Sequence, residues 1–188
     1  GNLYAPNLDY EFVDQEPETC LGTDYVLLRN EIRNYAAGDP PWRDQPERAL
    51  VTMGGSDIAN LTPAVVRAFD GLDIHVDAIV GPGCSDSQER DVREAARATS
   101  PEVHVRRDPD DLAERMFQAD FAVSTASSTT YELLALETPI VSIPVADNQE
   151  PIASALRDRE AATVLTQESE AAEFLKAIME YMRNSELR

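Results

Sequence analysis

The chain has 188 residues, a length that suits one compact domain and little more. Its 35 acidic against 16 basic residues leave a net charge of -19, which disfavours nucleic acid or an anionic membrane as a partner. Apolar residues make up 43%, too many for a disordered acidic chain, so a core is expected. Lys176 is the only lysine, the remaining cations being arginine. An acid-rich, lysine-poor surface suits concentrated salt, where the Debye length shrinks to about 3 Å at 1 M and carboxylate repulsion is screened. A halophilic, acidic, cytoplasmic protein is the expectation. Cys20 and Cys84 match no metal or redox spacing and are read as free thiols. No apolar stretch reaches the ~20 residues of a membrane helix, so no membrane span is expected.

Residues 1–44 are irregular, broken by Pro6, Pro17, Pro40 and Pro41, with Tyr25 to Leu28 as a short extended run. They are expected to form an arm or interdomain linker. Residues 45–188 alternate strand and helix patterns, the signature of a parallel sheet with crossover helices. Strands are predicted over 49–53, 74–80, 103–105, 121–125, 140–145 and 163–165. Thr62 and Pro63 read as an N-cap with proline behind it, opening a helix with Val65, Val66 and Phe69 on one face and Gly71 closing it. Asp108, Pro109, Asp110 and Asp111 repeat the device, their carboxylates complementing a helix dipole. A last helix over 168–183 buries Phe174, Leu175, Ile178 and Met182. The fold class is therefore α/β: a Rossmann-like, doubly wound parallel sheet of about six strands, with ligands bound beyond the carboxyl ends of the strands.

Three loops at those ends have side chains or turns suited to a ligand. Gly54, Gly55, Ser56 and Asp57 follow the first strand, where glycines permit a sharp turn and successive N–H groups can cradle a phosphate or a sugar. Ser127, Ser128, Thr129 and Thr130 open a helix after the fourth strand and suit a phosphate, although Thr129 and Glu132 also read as a capping box. Asp147, Asn148 and Gln149 follow the fifth strand, where amides can bond a polyhydroxylated ligand or cap the next helix. Gly81-Pro82-Gly83-Cys84-Ser85-Asp86 fails as a dinucleotide fingerprint, since proline removes an N–H and Asp86 replaces the last glycine. His75 and His104 lie inside predicted strands without metal-site spacing and read as structural or surface residues. No catalytic residue, metal or cofactor is expected from spacing.

The segments Leu50-Val-Thr-Met-Gly-Gly-Ser-Asp57, Asn60-Leu-Thr62, Ala119-Asp-Phe-Ala-Val-Ser124, Thr129-Thr-Tyr-Glu-Leu-Leu-Ala-Leu136 with Pro139, and Asn148-Gln149 share an order with one family. Together they resemble the carboxyl-terminal half of the spore coat polysaccharide biosynthesis proteins and the UDP-sugar hydrolases of the pseudaminic acid pathway, relatives of the peptidoglycan GlcNAc transferase. The resemblance covers about residues 24–165 and implies a GT-B architecture, in which two Rossmann-like domains flank a cleft and the carboxyl-terminal one holds UDP or a UDP-sugar. It implies that Gly54, Gly55, Ser56 and Asp57 face the diphosphate and sugar. Ser127, Ser128 and Thr129 would bind phosphate, Glu132 the ribose hydroxyls, and Asn148 with Gln149 the sugar. Arg106 and Arg107 would sit beside the uracil. Ala126-Ser127-Ser128 stands where Gly-Gly-Ser is usual, and Glu137 where the family has glycine. The amino-terminal GT-B domain, with its catalytic base, would lie outside this chain, leaving the fragment inactive by itself. The implied function is the donor-binding half of a hydrolase or glycosyltransferase in surface polysaccharide or nonulosonic acid biosynthesis; the alternative is a non-catalytic Rossmann-like module binding a nucleotide or a partner.

Overall fold

The structure is a computed structural model describing residues 2–13, 17–166 and 168–187. Gly1 and Arg188, the outer limits of the expected linker and domain, lie outside the described residues. In chain order the main elements are α1 (Asn30–Tyr35), β1 (Arg48–Thr52), α2 (Thr62–Arg67), β2 (His75–Val80), α3 (Asp86–Arg97), β3 (Val103–Arg107), α4 (Leu112–Gln118), β4 (Phe121–Thr125), α5 (Ser128–Ala135), β5 (Ile140–Ile143), α6 (Glu150–Asp158), β6 (Thr163–Val164) and α7 (Ala171–Arg183). Every predicted strand is present to within a residue or two. They form a parallel sheet in the order β3-β2-β1-β4-β5-β6.

Parallel sheets are covered on both faces, so their central strands must be apolar on both sides. β4 is buried along its whole length, and β1 everywhere except Arg48. Alternation sends Val51, Val123 and Val141 to one face, against Phe69 of the α2 region and Phe174, Ile178 and Tyr181 of α7. Leu50, Ala122 and Ile140 go to the other, against Met116 of α4 and Leu133 of α5. Fully burying one such Leu, Ile or Phe contributes roughly 1.5–3 kcal/mol.

The segment expected to be irregular holds a helix. Residues 25–28 join no strand: a short 3-10 turn at Thr23–Tyr25 leads through an irregular stretch into α1. With under two turns, α1 offers no apolar periodicity to read. Its anchor is Ile32, which is 0% exposed and packs with Leu50, Met116 and Leu133. Tyr35 adds a ring contact to Phe117 at 5.4 Å between centroids. Among the described residues no helix is long and apolar enough to cross a membrane.

Helix starts differ from expectation in their capping groups. Thr62 is the first residue of α2, not its cap; the Asp57 carboxylate accepts from the Leu61 and Thr62 amides at 2.9 and 3.0 Å. α4 begins after Asp111 without a side-chain cap, Asp111 pairing instead with Arg115. α7 starts at Ala171, where Glu170 and Glu173 cap each other's amides. Tyr181 on α7 donates to the Ile140 carbonyl at 2.8 Å and accepts from the Thr163 amide at 3.3 Å, joining β5 to β6.

Candidate functional site

The chain runs outward from β1 to β3, then returns to place β4 on the other side of β1. At this reversal the loops after β1 and β4 diverge and leave a crevice beyond the strands' carboxyl ends. Gly54 turns there with φ +74, and a Cβ built on it would stand 3.5 Å from Thr125 Oγ1, so the turn lies against the end of β4. Behind this turn, Gly81 packs so closely against the carbonyls of Gly54 and Gly55 that no side chain fits. The Gly83 amide donates to the Gly55 carbonyl at 2.8 Å, and Gln88 Nε2 donates to the carbonyls of Ser56 and Asp57 at 3.1 and 3.0 Å. Gln88 and Ser85 form the capping box of α3. The run rejected as a dinucleotide fingerprint therefore buttresses the first glycine loop. The carbonyls of Gly55, Ser56 and Asp57 are engaged, while the amides of Gly54, Gly55 and Ser56 have no hydrogen-bond partner among the described residues.

An open cleft of about 290 Å³ lies in front of that turn, lined on one side by Thr52, Gly54, Gly55, Ile79, Gly81 and Pro82. Asp108, Pro109 and Leu112 form a second wall, and Thr129, Glu132 and Arg29 a third. Asp108 holds φ 41, a left-handed conformation uncommon for a non-glycine residue and one that clusters at functional loops. Thr129 stands in the first turn of α5, which no side chain caps; its orphan N–H groups and the positive end of the helix dipole favour an anion.

Glu132 does not close the predicted capping box. Its carboxylate instead takes a two-pronged contact from Arg29, Nε to Oε1 at 2.6 Å and Nη2 to Oε2 at 3.0 Å. Two guanidinium donors outcompete a single backbone amide for the same oxygens. These bonds raise the Arg29 guanidinium above its ordinary pKa, so it stays charged. Arg29 was missed in the sequence because it sits in an irregular stretch 103 residues from its partner.

Of the residues singled out in the sequence, Gly54, Gly55, Thr129 and Glu132 share this cleft. Asp57 is 5% exposed and spends both oxygens on α2. Ser56 contributes its carbonyl to Gln88, Ser127 Oγ accepts from Thr125 Oγ1 at 3.1 Å, and Ser128 is exposed beside them. Arg106 bonds Asp77 at 2.9 Å, and Arg107 bonds Glu89 and the Cys84 carbonyl at 2.8 and 2.7 Å, so the loop after β3 meets the cleft through Asp108 and Pro109. Asn148 and Gln149 form a short turn after β5, where Gln149 Oε1 accepts from the Val145 amide at 2.9 Å. Burial pushes the Cys84 thiol up, which keeps it protonated.

No protein-family model matches the chain. MurG of Acinetobacter baumannii superposes on 80% of this chain and 47% of its own length, with a TM-score of 0.64 and 19% identity. The fold is shared with GT-B glycosyltransferases. The glycosyltransferase of kitacinnamycin aligns with a TM-score of 0.61 and 23% identity over 80% of this chain and 38% of its own. The spinosyn rhamnosyltransferase SpnG, solved with thymidine diphosphate, gives 0.57 and 18% over 79% and 41%. In sequence, the uncharacterized protein MJ1062 of Methanocaldococcus jannaschii is 25% identical over 137 residues, or 70% of this chain and 28% of that protein. The chain thus spans less than half the length of the relatives it matches.

Proposed function

We propose that this chain is the nucleotide-diphosphate-sugar-binding half of a GT-B enzyme, with UDP or a UDP-sugar as its ligand. The observation that carries the reading is the convergence of two anion-seeking backbone features on one cleft: the unpaired amides of the Gly54–Gly55 turn and the uncapped first turn of α5. Glu132, on the same wall, supplies an acceptor for ribose hydroxyls. Thymidine diphosphate bound to SpnG is consistent with a nucleoside diphosphate here. In the finer reading the parent enzyme is a UDP-sugar hydrolase or a glycosyltransferase of surface polysaccharide or nonulosonic acid synthesis. Its second cleft wall and its base come from an amino-terminal domain, so this half binds its ligand without turning it over. Calorimetric titration with UDP, dTDP, GDP, CMP and NAD at high salt tests the reading. One nucleoside diphosphate should bind at one site per chain, and NAD should not. Failure of all the nucleoside diphosphates to bind, or sugar release from a UDP-sugar by the purified chain, would overturn it.

A further inference from the structure

At the other end of the sheet, β2 and the edge strand β3 carry polar side chains on one face. Asp77 is registered opposite His104, and two residues earlier on each strand the same register sets His75 beside Glu102. Residues two apart on a strand share a face, so the four side chains form one patch. The two histidines, far apart in sequence, have ring centroids 4.5 Å apart in an edge-to-face contact. Glu102 bridges them: Oε1 lies 2.9 Å from His104 Nε2 and Oε2 lies 3.4 Å from His75 Nδ1. Asp77 completes the group, its carboxylate within 4.8 Å of both imidazoles, but each of its oxygens is held at 2.9 Å by an arginine, Arg106 on one and Arg115 on the other.

We propose that His75, His104 and Glu102 form a binding site for a divalent transition metal, most suitably Zn2+, that clips the edge strand β3 to β2. Zinc bonds imidazole nitrogen and carboxylate oxygen at about 2.0–2.2 Å, which in tetrahedral geometry separates neighbouring ligand atoms by about 3.4 Å. Each imidazole already stands near that spacing from one oxygen of the Glu102 carboxylate, His104 Nε2 at 2.9 Å from Oε1 and His75 Nδ1 at 3.4 Å from Oε2. The ion takes the place of the imidazole protons between the rings and the carboxylate, and water completes the fourth position. Two imidazoles with one carboxylate select Zn2+, Co2+, Ni2+ or Cu2+ over Mg2+ and Ca2+, which prefer oxygen ligands throughout. The site lies at the amino-terminal ends of β2 and β3, away from the cleft, so its effect is on the sheet edge and is independent of nucleotide binding.

Arg106 supplies a discriminating detail. Its Nη2 stands 3.3 Å from His104 Nδ1. A neutral ring that ligates through Nε2 keeps its proton on Nδ1, where it would meet a donor and a positive charge. Arg106 therefore opposes the metal, and Arg106→Gln, which offers an acceptor in its place, should tighten binding.

The full chain, treated with chelator and carrying Cys20→Ser to remove an exposed thiol, is titrated with Zn2+ by calorimetry and with Co2+ by visible absorption. One equivalent should bind, and Zn2+ should raise the melting temperature. His104→Gln and His75→Gln should each weaken binding by at least about tenfold, and Arg106→Gln should strengthen it. Circular dichroism confirms that each variant is folded. Absence of binding by the parent chain, or unchanged affinity in the folded double variant His75→Gln/His104→Gln, would overturn the proposal.

Discussion

Arg29 and Glu132, 103 residues apart in sequence, form a two-pronged ion pair at the mouth of the cleft, with Arg29 half exposed and Glu132 at 17%. A ligand whose ribose needs that carboxylate must first displace the guanidinium. Pairs this open to water contribute at most about 1 kcal/mol. Replacing Arg29 by alanine should therefore tighten UDP binding, by roughly two- to fivefold. Calorimetry on the two proteins checks this; weaker binding would instead make Arg29 a phosphate ligand.

Glu132 itself can be tested without confusing binding with folding, because it caps nothing. Glu132→Ala should lower UDP affinity by about 1.5–3 kcal/mol, as for a hydrogen bond to a charged group. Against a dideoxy-UDP the loss should nearly vanish. A double-mutant cycle on protein and nucleotide isolates the term, and a coupling energy of zero would remove Glu132 from the ribose site.

Gly81 has no left-handed backbone to demand glycine; its constraint is the neighbouring loop, where an added Cβ would stand 2.5 Å from the Gly54 carbonyl oxygen. Gly81→Ala should destabilise by about 1–3 kcal/mol through overpacking and also reduce UDP affinity by shifting the Gly54 turn. Gly71→Ala is the control: it has open space around it and φ +79, so denaturant unfolding should show a strain cost without any loss of nucleotide binding.

Glu137 occupies the left-handed region at φ 56, just after α5. Relief of that strain is worth about 1–2 kcal/mol, and the extra freedom of glycine in the unfolded chain subtracts about 0.4–1 kcal/mol. Glu137→Gly should stabilise the protein by about 0.5–1 kcal/mol, read from the denaturation midpoint. A loss of stability would show that the exposed glutamate makes a compensating contact.

The charge of -19 carried with a single lysine should make folding salt-dependent. The melting temperature should rise substantially between about 0.1 M and about 2 M KCl as carboxylate repulsion is screened. A flat or falling curve would remove the halophile reading.

The sheet was legible because short apolar, β-branched or aromatic runs such as Phe121 to Val123 and Ile140 to Val141 alternate with helix-length segments, the pattern of a parallel sheet. Position along the strand also pointed to loops that border the same cleft, hence Gly54 and Thr129. What could not be read depends on contacts distant in sequence. Arg29 takes Glu132 away from its capping box, and Gln88 reaches Ser56 across two loops. Nor does spacing reveal His75 beside His104, since their adjacency is created by strand register. The α1 helix escaped notice for a different reason: a six-residue helix with one buried side chain has no pattern to display.

Tyr181 has a consequence for how the protein is made. β6 pairs with β5 through only two residue pairs, Val141 with Thr163 and Ser142 with Val164, and the tyrosine hydroxyl supplies the tie just before them, between Ile140 and Thr163. Its ring, 2% exposed, also rests on Phe121 of the central strand at 5.4 Å. A nascent chain that has emitted all its strands but not yet this tyrosine would therefore hold an unlatched last strand and an uncovered hydrophobic face. Acquisition of protease resistance by this domain during translation should be an abrupt event, coinciding with the emergence of α7 from the ribosome.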